Sequence, residues 1–254
     1  MIELVSRPIL FFVVSLLLMM FAAWIGVAAQ RHTHLDSAAR EDFGVVQSAT
    51  LTLLALVIGF SLSMAVGRYD QRKDYEEEEA NAIGTQVLRA DLLPAAQAAQ
   101  LRSLLEKYLR QRILYYQYRD RRELEAINRA SVLLQGEMWA ATRVGASLEP
   151  TPVAALVLSG MNDVINRQGY TQAEWTNRIP PAVWYLMILI GVLSNVLVGY
   201  GSRGQGTRRV FLFVMPVVVS LSFMLIADID SPRGGIIRVQ PQNLLLVAQS
   251  LPQP

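Results

Sequence analysis

The chain has 254 residues, 52% of them hydrophobic and 17% charged, with a formal net charge of +2 and no cysteine. That balance is too apolar for an ordinary soluble domain and too charged for a chain confined to a bilayer, so it predicts a membrane protein with one sizeable polar section. The scattered arginines and the lack of a binding motif exclude nucleic acid as a partner, and the missing cysteines exclude disulfides, thiolate metal sites and cysteine nucleophiles.

Four runs reach membrane length, about 20 apolar residues. The first, Ile9–Ala29, is uncharged throughout. Its apolar stretch is longer than the h-region of a signal peptide, so it is expected to remain as a span. The second, Val45–Val66, is uncharged but carries Gln47, Ser48, Thr50, Thr52, Ser61 and Ser63. The third is Pro181–Tyr200, and the fourth is Val210–Ile226 with Pro216 inside, where a kink is expected. No proline follows the second run until Pro94, so one helix should leave the bilayer and continue through the acidic "EEEE" at Glu76–Glu79.

The section between the second and third spans reads as helical. Ala80, Ile83, Gly84, Val87, Leu88 and Leu92 recur at spacings of three and four, as does the set Leu101, Leu104, Leu105, Tyr108, Leu109 and Ile113. "YRDRRE" is a polar break. A third helix is expected over Leu124–Val144, with Ile127, Val132, Leu134 and Trp139 as its apolar positions. "GASLEPTP" reads as a linker, followed by a fourth helix over Val153–Arg167. The expected organisation is residues 1–67 (spans one and two), 68–178 (polar helical section), 179–230 (spans three and four) and a tail, 231–254.

With four spans, the termini and the polar section share one side. Near the span ends that side carries Arg7, Arg68, Arg72, Lys73, Arg167, Arg178, Arg233 and Arg238; the other carries Arg31, Arg40, Arg203, Arg208 and Arg209. The excess of basic residues predicts that the first side is cytoplasmic. In a bacterial cell this is a multi-pass inner-membrane protein.

Several constellations could carry chemistry, and each has a structural reading beside it. Glu76–Glu79 do not interleave with a turn glycine as calcium ligands do; they read as a solvated helix face, or as a ring of negative charge if copies surround an axis. His32 and His34 with Asp36 form a His-x-His pair, but no third strong ligand accompanies it, so no metal site is expected. "GYGSRGQG" lacks the lysine and hydroxyl residue of a phosphate loop and reads as a connector. Asp228 and Asp230 oppose the macrodipole at the end of span four, so structural ion pairs with arginines such as Arg68 or Arg233 are expected, with an ion path as the functional alternative. In span two, Ser48, Thr52, Ala55, Gly59 and Ser63 form a small or weakly polar stripe, read either as close helix packing or as a helix that lines water. Thr52, Leu56 and Phe60, spaced by four, could form a constriction that sheds water. No catalytic residues and no cofactor are expected, because no nucleophile sits beside a histidine and no carboxylates pair convincingly.

"GF-SLSMAVG-RYDQRK" resembles the bestrophin channel family: Gly59-Phe60, seven residues, then Arg68-Tyr69 is similar to the pattern at the end of the second bestrophin helix. "EEEEANAIGT", "LRADLLP", "RIPPAVW" and "DIDSPRGGIIRV" are similar to the bacterial bestrophin-like family, formerly a domain of unknown function. The resemblance covers about residues 50–245. It implies an all-α membrane protein forming a homopentameric ion channel, with lipid and inorganic ions as its partners. The second helix would line the pore and the neck would fall at Thr52, Leu56 and Phe60, with Ser48, Ser63, Arg68, Glu76 and Glu79 lining the pore or vestibule. Thr52 departs from the family's apolar neck, Tyr69-Asp70 replaces a pair of aromatics, and the acidic calcium clasp of animal bestrophins has no match. The alternative is a non-conducting membrane scaffold or sensor whose cytoplasmic helices bind a partner protein.

Overall fold

A computed structural model describes residues 2–32, 36–202 and 208–251. His34 and Arg203 therefore lie outside the described residues. Among the described residues the chain is helical, without strands: α1 (Ile2–Val5), α2 (Pro8–His32), α3 (Ser37–Arg89), a 3-10 turn (Ala90–Leu92), α4 (Ala95–Gln117), α5 (Arg121–Leu148), α6 (Pro152–Thr176), α7 (Pro181–Gly201), α8 (Arg208–Asp230) and α9 (Gln242–Ser250). Four segments are long and apolar enough to cross a membrane: Pro8–His32, Ala38–Leu92, Pro152–Gly201 and Leu212–Asp230. α8 continues through Pro216.

Three helix starts carry side-chain caps. Asp36 Oδ1 accepts the Ala39 N–H at 2.8 Å ahead of α3, so this acid, considered above as a metal ligand, instead caps a helix. Asp120 caps α5 by accepting from the Arg122 and Glu123 amides, and Thr151 caps α6 with Pro152 in its first turn. Two extents differ from the sequence expectation. α5 runs on to Leu148 through the expected linker, and Gly145 explains why: a Cβ there would stand against the side chains of Leu93 and Gln97, so this turn is a packed crossing. α6 continues to Thr176, nine residues beyond Arg167, with Gln168, Thr171, Glu174 and Trp175 buried along the added turns.

By its contacts the chain divides into two units, residues 1–69 with 178–238, and residues 70–177 with 239–254. The expected C-terminal tail is thus shared between them. In the first unit, α2 packs against α7 and α8. Its core includes Phe11, Met19, Leu54, Ala65, Trp184, Met187, Val219 and Phe223. The Phe11 ring meets Trp184 edge-on at 5.3 Å and stacks on Phe223 at 6.3 Å. α2 and α7 cross backbone to backbone: a Cβ on Gly199 would strike Ala23, and one on Gly26 would strike Val196 and Tyr200. Between membrane helices, where lipid is as apolar as leucine, such close approach supplies the packing energy.

In the second unit, α4 packs against α5 and α9, and α5 against α6. The α4 stripe read from the sequence, Leu101 to Ile113, is buried as a set. The α5 stripe is not. Only Ile127 of the four expected positions is buried; Val132 and Trp139 face outward and Leu134 is half-buried. The buried seam is Ile127, Ser131, Met138, Ala141, Thr142 and Gly145. Ser131 and Thr142 return their hydroxyls to the carbonyls of Ile127 and Met138, which removes the cost of burying them.

The α2–α7 crossing yields a direct test. Gly199→Ala should lower thermal stability in detergent by an amount on the order of 1–3 kcal/mol, the usual cost of overpacking. Gly44→Ala, where a Cβ meets nothing within 4 Å, should be neutral or gain up to about 1 kcal/mol of helix propensity. Equal melting temperatures for the two variants would contradict the crossing.

Candidate functional site

α3 is one unbroken helix of 53 residues. In its apolar half the buried positions are Leu54, Ser61 and Ala65, a stripe at helical spacing, and Ser61 donates its hydroxyl to the Val57 carbonyl at 2.8 Å. The other faces are uncovered. Ser48, Thr52, Ala55, Gly59 and Ser63 are exposed. Leu56 is 52% exposed and Phe60 65% exposed. Thr52 donates its hydroxyl to the Ser48 carbonyl at 2.9 Å, which satisfies the one polar group of the Thr52–Leu56–Phe60 line. Arg68 is half-buried.

The charged half of α3 behaves differently from the sequence expectation. Glu76 and Glu79 were expected on a pore or vestibule surface, and both are buried, as is Arg72. Glu79 forms an ion pair with Arg112 of α4 in which both side chains have no exposure. The Glu79 carboxylate also accepts from Thr171 of α6 at 3.2 Å and from the Tyr116 hydroxyl at 3.5 Å. The Arg112 guanidinium lies over the Tyr115 ring, 4.4 Å from its centroid. Burial opposes the charge on Arg112, but the Glu79 carboxylate together with the Tyr108 and Tyr116 phenols outweighs it and raises the pKa above the ordinary arginine value. Burial also raises Tyr108 and Tyr116, keeping both phenols neutral beside the pair. Taking either partner from such a pair strands the other charge without water, so Glu79 is held dry by Arg112.

Glu76 has a separate role. Its Oε1 accepts the Leu244 N–H at 2.9 Å and its Oε2 accepts the Asn243 side-chain N–H at 2.7 Å. These are the first-turn residues of α9, whose preceding residue, Pro241, has no side-chain cap to offer. Glu76 therefore caps the last helix from across the unit, with the charge sign the helix N-terminus favours. Burial raises the Glu76 pKa; the Leu244 and Asn243 hydrogen bonds pull it back, and Glu79 adds to the rise. Of the other two glutamates, Glu77 is exposed and Glu78 is half-buried against Arg167 at 2.5 Å.

Asp228 and Asp230 are buried, and their partners include backbone amides. Asp228 accepts from the Ile236 and Ile237 N–H groups, both at 2.8 Å, and forms no ion pair among the described residues. Asp230 accepts the Ile179 N–H at 3.0 Å. "DIDSPRGGIIRV" and "RIPPAVW" thus meet in one joint: the acids satisfy amides where the chain leaves α8 and enters α7, beside two prolines that have no N–H of their own. Arg233 is half-buried, and no metal-holding group of acids and histidines occurs among the described residues.

The raised Glu76 pKa has a definite sign. The folded state holds this proton more tightly than the unfolded chain, so stability falls as pH climbs from the ordinary carboxylate range through the raised value. Glu76→Gln keeps an acceptor for the Leu244 N–H and removes the titration. Melting temperatures of both proteins from about pH 4 to about pH 8 should show wild type losing ground to the variant as pH rises. A difference that does not change with pH would take Glu76 out of the pH dependence.

The fold is similar to the crystal structure of a bacterial bestrophin homolog from Klebsiella pneumoniae, with a TM-score of 0.65 and 16% identity over 94% of this chain and 99% of that one. A point variant of a bacterial bestrophin homolog from the same organism gives 0.63 at 14% identity, with the same coverage. A structure described only as a membrane protein gives 0.63 at 16% identity, covering 94% of this chain and 95% of the other. No curated protein matches the sequence. The Bestrophin-like domain matches residues 9–244, nearly the whole length, and carries the resemblance seen in "GFSLSMAVGRY" and the four downstream motifs: the chain belongs to the Bestrophin-like family.

Proposed function

We propose that this protein is an ion channel subunit of the bestrophin kind, with α3 lining a pore shared between copies and Thr52, Leu56 and Phe60 forming an apolar neck. One observation carries the reading: the uncovered surface of α3 is unlike the uncovered surfaces of the other membrane helices. α2 presents Ile9, Val13, Leu17, Phe21 and Trp24, and α7 presents Tyr185, Leu186, Leu189 and Leu193, the large side chains that suit lipid. α3 presents large side chains too, but among them run Ser48, Thr52, Ala55, Gly59 and Ser63. A Cβ on Gly59 or Gly67 meets nothing within 4 Å. A glycine inside a helix costs about 1 kcal/mol relative to alanine, and nothing among the described residues uses the space it leaves, which suits a neighbouring copy or a narrow lumen.

In this reading several copies, five by family resemblance, surround an axis faced by Ser48, Thr52, Leu56, Phe60, Ser63 and Arg68. A ring of Leu56 and Phe60 narrow enough to shed water opposes ion passage without any charge. Glu76 and Glu79 are structural, so selectivity belongs to the neck and to exposed groups such as Glu77. The membrane is the bacterial inner membrane, with both termini and the 70–177 section in the cytoplasm. The scaffold alternative draws on Val132 and Leu133, exposed apolar side chains of α5.

Phe60→Ala should raise ion flux into liposomes while leaving the oligomer intact. A phenylalanine packed in a core costs about 3–5 kcal/mol on truncation, so a lost oligomer or poor yield would make Phe60 a packing residue. Unchanged flux with intact assembly would remove it from the neck. Topology has its own check: a reporter active only in the periplasm, inserted after Ser147, should stay silent, and strong activity would invert the orientation.

A further inference from the structure

In the second unit, α3 and α6 run antiparallel past one another and leave a cleft of about 260 Å³ that the preceding sections give no role. Small residues open it: Ala82 lies on the α3 wall and Gly160 on the α6 wall. Gly160 is buried within its helix, and a Cβ there would strike the Gln86 Oε1 and the Arg89 guanidinium. The position therefore has to be glycine for Arg89 to lie across α6.

Polar groups converge on this space with capacity to spare. Arg89 makes no hydrogen bond among the described residues; its nearest acid is Asp163, at a loose 3.9 Å. Thr85 is exposed and lines the cleft one turn before Arg89. Gln86 is fully buried, donates its amide to the Val157 carbonyl at 2.9 Å, and leaves its Oε1 without a donor at the Gly160 crossing. Asp163 is more than half exposed, so its carboxylate can take a second cation. At the far end Arg167 and Glu78 already hold each other. The open end is therefore a cation and a hydroxyl facing a carboxylate a few ångströms away, with no net charge.

We propose that this cleft binds a small zwitterion of the α-amino-acid type, its carboxylate on Arg89 and the Thr85 hydroxyl, its ammonium on Asp163. A planar guanidinium with free donors matches a carboxylate two bonds at a time. A simple anion on Arg89 would meet the Asp163 carboxylate, and a simple cation on Asp163 would meet Arg89. Only a molecule with both charges about one residue apart satisfies both walls. The volume admits a small side chain, and the inference is independent of whether α3 lines a pore.

Calorimetric titration of the purified full chain in detergent with each of the twenty common α-amino acids tests it. At least one should bind saturably with a Kd between about 10 μM and about 10 mM. Its amide and its N-acetyl derivative, which each lack one charge, should bind about tenfold or more weakly. Arg89→Gln, Asp163→Asn and Gly160→Ala should each bring a similar loss, with elution position unchanged, whereas Lys107→Gln should change nothing. No saturable binding by any of the twenty overturns the proposal. Binding that survives Arg89→Gln places the ligand elsewhere, and an N-acetyl derivative that binds as well as its parent makes this an anion site only. Should Arg89→Gln alter the elution position, Asp163→Asn, on an exposed side chain, decides between a ligand cleft and a surface where copies meet.

Discussion

A carboxylate without water must find a cation and enough donors to replace its hydration, and in this chain Glu79 finds Arg112, Thr171 and Tyr116. Those partners come from α4 and α6, so one dry ion pair ties the charged half of α3 to two other helices of its unit. Burying such a pair gives little net stability compared with an apolar contact, but it is intolerant of rearrangement, because any register shift strands a charge. Around it Tyr115, Tyr116 and Trp175 close out solvent through edge-on ring contacts, and Tyr108 is fully buried beside them. Glu76, one turn earlier, applies the same logic to the N-terminus of α9 and brings the end of the chain onto α3.

This explains how a single helix can be hydrophobic at one end and acidic at the other without being amphipathic in the usual sense. Both halves bury one narrow stripe. In the apolar half the buried positions are Leu54, Ser61 and Ala65; in the charged half they are Arg72, Glu76, Glu79 and Gln86 together with the apolar Ala80, Ile83 and Val87. Other positions of both halves are exposed, among them Ser48, Thr52, Gly59 and Ser63 in the first and Asn81 and Thr85 in the second. In the membrane half they hold the small and apolar residues assigned to the neck, and in the other half Asn81, Thr85 and Arg89 form one wall of the zwitterion cleft.

The two short motifs around the membrane helices have a comparable economy. Asp228 and Asp230 stand where local propensity disfavours acids, and each takes amide hydrogens that proline-rich or glycine-rich chain cannot pair with itself. The Asp230 partner is 51 positions away and the Asp228 partners are eight and nine, which is why the joint matters for the path of the chain.

The sequence by itself determined the parts that depend on periodicity and length. Four apolar runs, the unbroken helix from the second run through the glutamates, the buried face of α4 and the family motifs could all be read directly, because burial of an apolar stripe leaves a repeat of three and four in the order of residues. The tertiary structure decided whatever depended on a partner. Nothing local distinguishes Glu77, which is exposed, from Glu79, which is dry; the difference is Arg112, 33 residues away. Nothing local assigns Asp228 to amides instead of arginines, and the buried seam of α5 was hidden because serine, threonine and glycine fill it where apolar residues were sought. Gly160 gave no signal, since a glycine's purpose lies in what crosses it. A polar group's role is set by the atom opposite it, and that atom is chosen by the fold.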